Sequence, residues 1–179
     1  MKQIETTNKQ SRILIILITI LISVVLSSCG SQPDNPWILF EDENGKMGYV
    51  DLDGDTTIAT GKYQQCYTDT FNTYCIVYKE TEGLVAINRD EEVLFNVFPY
   101  DNGPDYPSDG LFRIVQDDKI GYADLKGKIV IEPQYPCAYP FENGKSKVSL
   151  DCSLESEGEH SRWVSENWLF IDKRGRIIP

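Results

Sequence analysis

Histidine is nearly absent from this chain. His160 is the only one in 179 residues. A single imidazole excludes most His-rich metal sites, and no cysteine has a histidine near it in sequence to activate a thiolate. Ser161 is adjacent to His160, but catalytic triads form from groups that converge in space, not from neighbours in sequence. There is no Gly-rich phosphate loop and no CxxC pair. Carboxylates are abundant, yet nothing in their spacing singles out an acid–base pair of the glycosidase kind. The chain is expected to carry no catalytic residue, no metal and no cofactor. Positive charge is also scarce: 17 Lys and Arg stand against 28 Asp and Glu, a net charge of −11. Such a surface repels phosphate backbones and anionic headgroups, so nucleic acid is not an expected partner. After residue 36 no stretch of ten or more residues repeats with helical period.

The one long apolar run lies at the start. Lys2, Lys9 and Arg12 precede ILIILITILISVVL (13–26), interrupted only by Thr19 and Ser23. The run is short for a membrane span, which needs about 20 apolar residues. A basic segment, a short apolar segment and small residues in that order form a secretory signal. LSSC (26–29), followed by Gly30, resembles the bacterial lipobox, in which cleavage precedes a cysteine that becomes lipidated. The resemblance makes 1–28 a lipoprotein signal peptide, Cys29 the lipidated first residue, and 29–36 a flexible tether. Several acyl chains hold a protein stably where one is marginal. Without residues 1–28 the chain keeps 14 basic and 27 acidic residues, a net of −13. Attachment to a membrane would therefore come from the lipid.

DLDGD (51–55) has the opening of a calcium loop. An EF-hand requires Gly at position 6 and Glu at position 12, with flanking helices. Counted from Asp51, those positions are Thr56 and Lys62. A second explanation comes from further along. GYVDLDG (48–54) returns as GYADLKG (121–127), more weakly as LFIDKRG (169–175), and in degenerate form as VAINRDE (85–91). The Asp or Asn of this frame falls at 51, 88, 124 and 172, with spacings of 37, 36 and 48. A period of this size indicates a repeat architecture. Asp followed by Gly between apolar, β-branched runs is turn chemistry, so DLDGD is expected to be a hairpin turn.

Apolar runs between such turns have strand character. WILFEDENGKMGYVDLDG reads as strand, Asn-Gly turn, strand; LFRIVQDDKIGYADLKGKIVIEP reads as three strands. Residues 37–179 are accordingly expected to form one all-β domain of about three and a half β-hairpin repeats. The repeats would stack as an open array or close into a small sheet.

The sequence resembles the WG-repeat proteins, also called KWG repeats. Their unit pairs Trp-Gly with an aromatic–apolar–Asp turn, then Gly, an apolar strand and often Pro. KIGYADLKGKIVIEPQY (119–135), followed by Phe141 and ENGKSKV, carries the resemblance most clearly, and most of 40–179 follows it. Trp-Gly is never intact: the Trp position holds Met47, Leu84, Ile120 and Trp168, and Gly follows only at Gly48 and Gly121. Each replacement is apolar, which preserves a packing role. The resemblance implies a β-repeat module and no catalysis.

Cys66, Cys75, Cys137 and Cys152 allow three pairings. Cys66 and Cys75 flank Phe71, and Cys137 and Cys152 flank Phe141, in similar positions of the first and third units. The expected bridges are Cys66–Cys75 and Cys137–Cys152. Two inserts interrupt the repeat. FPYDNGPDYPSDG (98–110) reads first as a plain connecting loop, with Tyr100 and Tyr106 as candidates to stack on sugar or peptide. DCSLESEGEHSRW (151–163) reads as a solvated acidic loop. The expected function is a lipid-anchored binding module of the bacterial cell envelope that holds a protein partner. The alternative is a carbohydrate-binding lipoprotein using Tyr100, Tyr106, Trp163 and Trp168.

Overall fold

The computed structural model describes residues 35–158 and 160–179. The signal segment 1–28, Cys29 and the tether as far as residue 34 lie outside the described residues. The described chain is all-β, built from three-stranded antiparallel meanders. The first contains β1 (Trp37–Glu41), β2 (Met47–Val50) and β3 (Thr56–Ile58), followed by the short strands β4 (Gln65–Cys66) and β5 (Thr70–Phe71). The second contains β6 (Cys75–Lys79), β7 (Gly83–Ile87) and β8 (Val93–Val97). Two more short strands, β9 (Pro99–Tyr100) and β10 (Gly103–Pro104), precede the third meander of β11 (Leu111–Gln116), β12 (Lys119–Asp124) and β13 (Ile129–Tyr135). After β14 (Cys137–Ala138) comes β15 (Lys145–Ser149), then an inserted hairpin of β16 (Ser153–Glu157) and β17 (His160–Val164), then β18 (Leu169–Asp172) and β19 (Ile177–Ile178). β15, β18 and β19 form the fourth meander. The acidic insert is thus a paired hairpin, in register from Ser153↔Val164 to Glu157↔His160, and not a loop.

The four repeat-frame turns share one device. A single Oδ1, of Asp51, Asn88, Asp124 or Asp172, accepts the backbone N–H groups two and four residues on, at 2.9–3.0 Å. The residue three positions on has positive φ: Gly54 at 88°, Glu91 at 62°, Gly127 at 77° and Gly175 at 76°. The Asp51 carboxylate is therefore a turn cap, as DLDGD predicts. Asp42 caps the β1–β2 turn in the same way, outside the repeat frame.

The meanders assemble into open sheets. β3-β2-β1-β5 form one, β13-β12-β11-β8-β7-β6-β4 the largest, and β14-β15-β18-β19 a third. The second and third meanders join where β8 pairs with β11, Ile114 opposite Val97 and Val115 opposite Asn96. Among the described residues each sheet ends on two edge strands, so none of the sheets closes into a barrel.

The first and third units bury the same positions. Tyr49, Ile58, Tyr63, Phe71 and Val77 form one core, and Tyr122, Ile131, Tyr135, Phe141 and Val148 another. In each, the tyrosine ring meets the phenylalanine edge-on, at 5.5 Å for Tyr49–Phe71 and 4.7 Å for Tyr122–Phe141. The second unit inverts the sizes: Ala86 takes the tyrosine position, and Phe112 and Phe95 fill the space in their own cluster. Gly121 is required by close approach. A Cβ there would come within 2.6 Å of the Pro133 backbone nitrogen, because β13 bulges across it. The second unit pairs Val85 with Asn96 and Ala86 with Phe95 without that bulge, and so accepts Val85 in the glycine position.

Candidate ligand cleft around the 98–110 loop

The third unit's first strand has an unusual composition. Leu111, Phe112, Arg113 and Ile114 of β11 are all buried. Arginine is almost never fully buried unless paired. Here the partner comes from the 98–110 loop. Asp105 is also buried, and it accepts from Arg113 at 3.0 Å (Nε) and 2.5 Å (Nη2), and from the Arg113 backbone N–H at 2.9 Å. Nη1 donates to the Ala138 carbonyl at 3.2 Å. The Asp105 N–H donates back to the Phe98 carbonyl. The Pro-rich loop is thus fixed to a central strand through a neutralised, hydrogen-bonded pair.

Above this pair lies a cleft of about 660 Å3, walled by Phe98, Tyr100, Tyr106, Tyr139 and Trp163. The Arg113 guanidinium lies 4.1 Å from the Phe98 ring centre and 5.8 Å from that of Tyr100. Rings meet nearly at right angles: Tyr100–Tyr106 at 77°, Phe98–Trp163 at 69° and Tyr139–Trp163 at 80°. Tyr106 is 70 % exposed and Tyr100 52 %. The inserted hairpin supplies Trp163 from β17, and the segment after β14 supplies Tyr139. The cleft therefore offers ring faces and tyrosine hydroxyls around an internally compensated ion pair.

Three of the four aromatic residues singled out from sequence, Tyr100, Tyr106 and Trp163, come together here. Trp168 does not line the cleft. It packs behind Tyr139 with ring centres 5.5 Å apart, under the Lys147 ammonium at 4.5 Å. Sequence reasoning missed Phe98, Tyr139 and the Arg113–Asp105 pair. The available signal was an arginine inside the apolar run LFRIV, facing a carboxylate in a turn-rich loop.

The cysteines divide differently from expectation. Cys137 and Cys152 are bonded, with Cα atoms 5.8 Å apart. Cys66 and Cys75 are buried free thiols, so the expected Cys66–Cys75 bridge is not formed. The register explains this. Cys66 lies opposite Val77, which puts Cys75 two residues away on the diagonal. Such diagonals are roughly 7–8 Å long, whereas disulfides need Cα separations of about 4.4–6.8 Å. Burial pushes the thiols up to about 11 for Cys66 and about 12 for Cys75, against the opposing effect of the Tyr49 hydroxyl. Within the acidic insert, Asp151 bonds Ser149, Ser165 and Asn167 and so ties the base of the hairpin together.

Residues 120–151, from Ile120 of β12 to just past β15, match a family model described as WG containing repeat. No curated protein and no solved structure matches the chain. The chain thus carries a WG-type repeat in its third unit, within an all-β array of related units.

Proposed function

We propose that this protein is a non-catalytic binding module, lipid-anchored through Cys29 at a bacterial cell envelope, and that it holds a protein partner in the cleft beside the 98–110 loop. One observation carries the reading: a Pro-rich loop, held by Asp105 on Arg113, presents exposed tyrosines beside Trp163 on a β scaffold. Loops fixed on rigid scaffolds often carry binding, and aromatic residues are enriched where proteins dock. The Cys137–Cys152 bridge supports an oxidising compartment, which fits export. Carbohydrate is the second reading, favoured by the exposed faces of Tyr100 and Tyr106.

Crosslinking followed by pull-down from envelope membranes tests the proposal, comparing wild type with Tyr106→Ala. A protein captured by wild type and lost in the variant supports it. Capture of the same proteins by both forms contradicts it. Anchoring is tested separately: Cys29→Ala should leave an uncleaved precursor, and normal processing of that variant would rule the lipid out.

A further inference from the structure

We propose that the occupant of the cleft is a proline-rich segment in the polyproline II conformation, with a basic residue at the end nearest Asp69 and Asp101. The inference rests on the reading that the partner is a protein and adds its chemistry.

Three features carry it. The first is shape. Rings packed edge-to-face at 69–80° leave ring faces open along the wall of the cleft, and the exposed Tyr106 borders both this cleft and its neighbour. Polyproline II has three residues per turn and no internal hydrogen bonds, so its pyrrolidine rings can lie flat on such aromatic faces while its carbonyls stay free for tyrosine hydroxyls. The second is polarity. A sugar needs several uncommitted polar groups at fixed positions to bond its hydroxyls. The two charged side chains of this cleft, Asp105 and Arg113, are committed to each other, and the Ser108 hydroxyl donates to the Phe141 carbonyl. What remains is aromatic faces and tyrosine hydroxyls, which suit a ligand of apolar rings and free carbonyls.

The third is charge. A second cleft of about 560 Å3 shares Asp105, Tyr106 and Pro107 with the first, so the loop runs between the two. Asp69, Asp101 and Asn102 line it, while the carboxylate of Asp105 is already neutralised. A peptide crossing Tyr106 passes from an aromatic, internally neutral cleft into one lined by Asp69 and Asp101. That order fits a run of prolines with a cation at the one end that enters the second cleft. A prefolded ligand also loses less conformational entropy on docking than a flexible one.

Fluorescence anisotropy with the full-length protein in detergent tests this. The probe is a labelled Arg-Pro-Leu-Pro-Pro-Leu-Pro peptide. Controls are the same peptide with Ala for every Pro, with Glu for Arg, and unlabelled cellotetraose as competitor. The proline peptide should bind, and the Ala peptide should bind about 10-fold or more weakly. Tyr106→Ala, at a position 70 % exposed, should leave the urea midpoint close to wild type and weaken binding by about 10-fold, as truncation of an interface anchor does. The Glu peptide should bind several-fold more weakly at low salt, with the gap narrowing as salt screens the acidic cleft. Absence of binding at about 1 mM, equal binding of the Ala peptide, indifference to Tyr106→Ala, or displacement by cellotetraose would each overturn the proposal. If the pull-down still captures a protein through Tyr106 while the peptide fails, only the ligand class is wrong. If neither detects a partner, the binding reading falls with it.

Discussion

The Tyr122 hydroxyl lies 2.7 Å from Ser146 Oγ and 2.7 Å from the Tyr139 carbonyl, so two hydroxyls converge on one backbone oxygen. Tyr49 does the equivalent in the first unit, donating to the Thr68 carbonyl at 2.7 Å. These buried tyrosines connect the second strand of a meander to the segment that follows it. Tyr122→Phe removes the hydroxyl but leaves Ser146 bonded to Tyr139, so it should cost about 1–2 kcal/mol in urea unfolding. Tyr122→Ala also empties the space against Phe141 and should cost about 3–5 kcal/mol. Equal losses in the two variants would mean that packing contributes little at this position.

Asp105 should matter more than any exposed acid. Asp105→Ala leaves the Arg113 charge buried and unpaired, which costs about 3–5 kcal/mol when no rearrangement rescues it. The expected result is a large drop in urea midpoint and loss of the near-ultraviolet circular dichroism of the cleft aromatics. Glu82→Ala, which breaks the exposed Lys79–Glu82 pair, should change stability by less than about 1 kcal/mol. Similar effects from the two substitutions would contradict the assignment of the Arg113–Asp105 pair as the loop's anchor.

Thiol counting separates the two cysteine pairs. In the native protein at pH 8, maleimide should modify neither Cys66 nor Cys75, because both are buried and their thiols are held protonated. After denaturation without reductant it should modify both, while Cys137 and Cys152 stay protected by their bond. Reducing that bond should cost about 3 kcal/mol, as expected for a closed loop of this size. A mapped Cys66–Cys75 peptide would contradict the strand register of β4 and β6.

Acid should destabilise the protein through particular caps. The Asp172 carboxyl is lowered to about 2 by the Arg176 side chain and backbone, and Asp151 to about 2 by Ser165, Asn167 and Ser149. Both lie below the unfolded value of about 3.9. Their contribution is therefore complete above about pH 4 and is lost as the pH falls toward 2. Asp172→Asn keeps an oxygen for the turn but loses the Arg176 pair. Its melting temperature should fall below wild type at pH 7 and converge with it near pH 2. A gap that persists at pH 2 would show that charge is not the cause.

The turns and meanders were legible because their chemistry is local. An Asp and a Gly three residues apart suffice to specify a hairpin, and Asp124 with Gly127 does so from seven residues of sequence. The tyrosine pair of the loop was legible as exposed aromatics in a Pro-rich insert. The rest depends on distance along the chain. Trp163 reaches the cleft only because 153–164 folds into a hairpin, a pairing that an acidic, turn-poor segment does not announce. Cys66 and Cys75 appeared to match Cys137 and Cys152 because both pairs flank a phenylalanine. In the fold, Cys66 occupies the buried position of Ala138, and Cys75 that of Ser146 beneath the tyrosine. One residue of offset in a strand changes which partner a side chain meets.

The central claim is that the surface around Tyr106 contacts the partner. A photo-crosslinking amino acid placed at Tyr106, and in a separate protein at the exposed Leu52 of the first repeat turn, tests it most directly in living cells. A discrete higher-mass protein adduct from position 106, absent from position 52, is the predicted result. Adducts of equal yield from both positions, or none from position 106, would contradict the account.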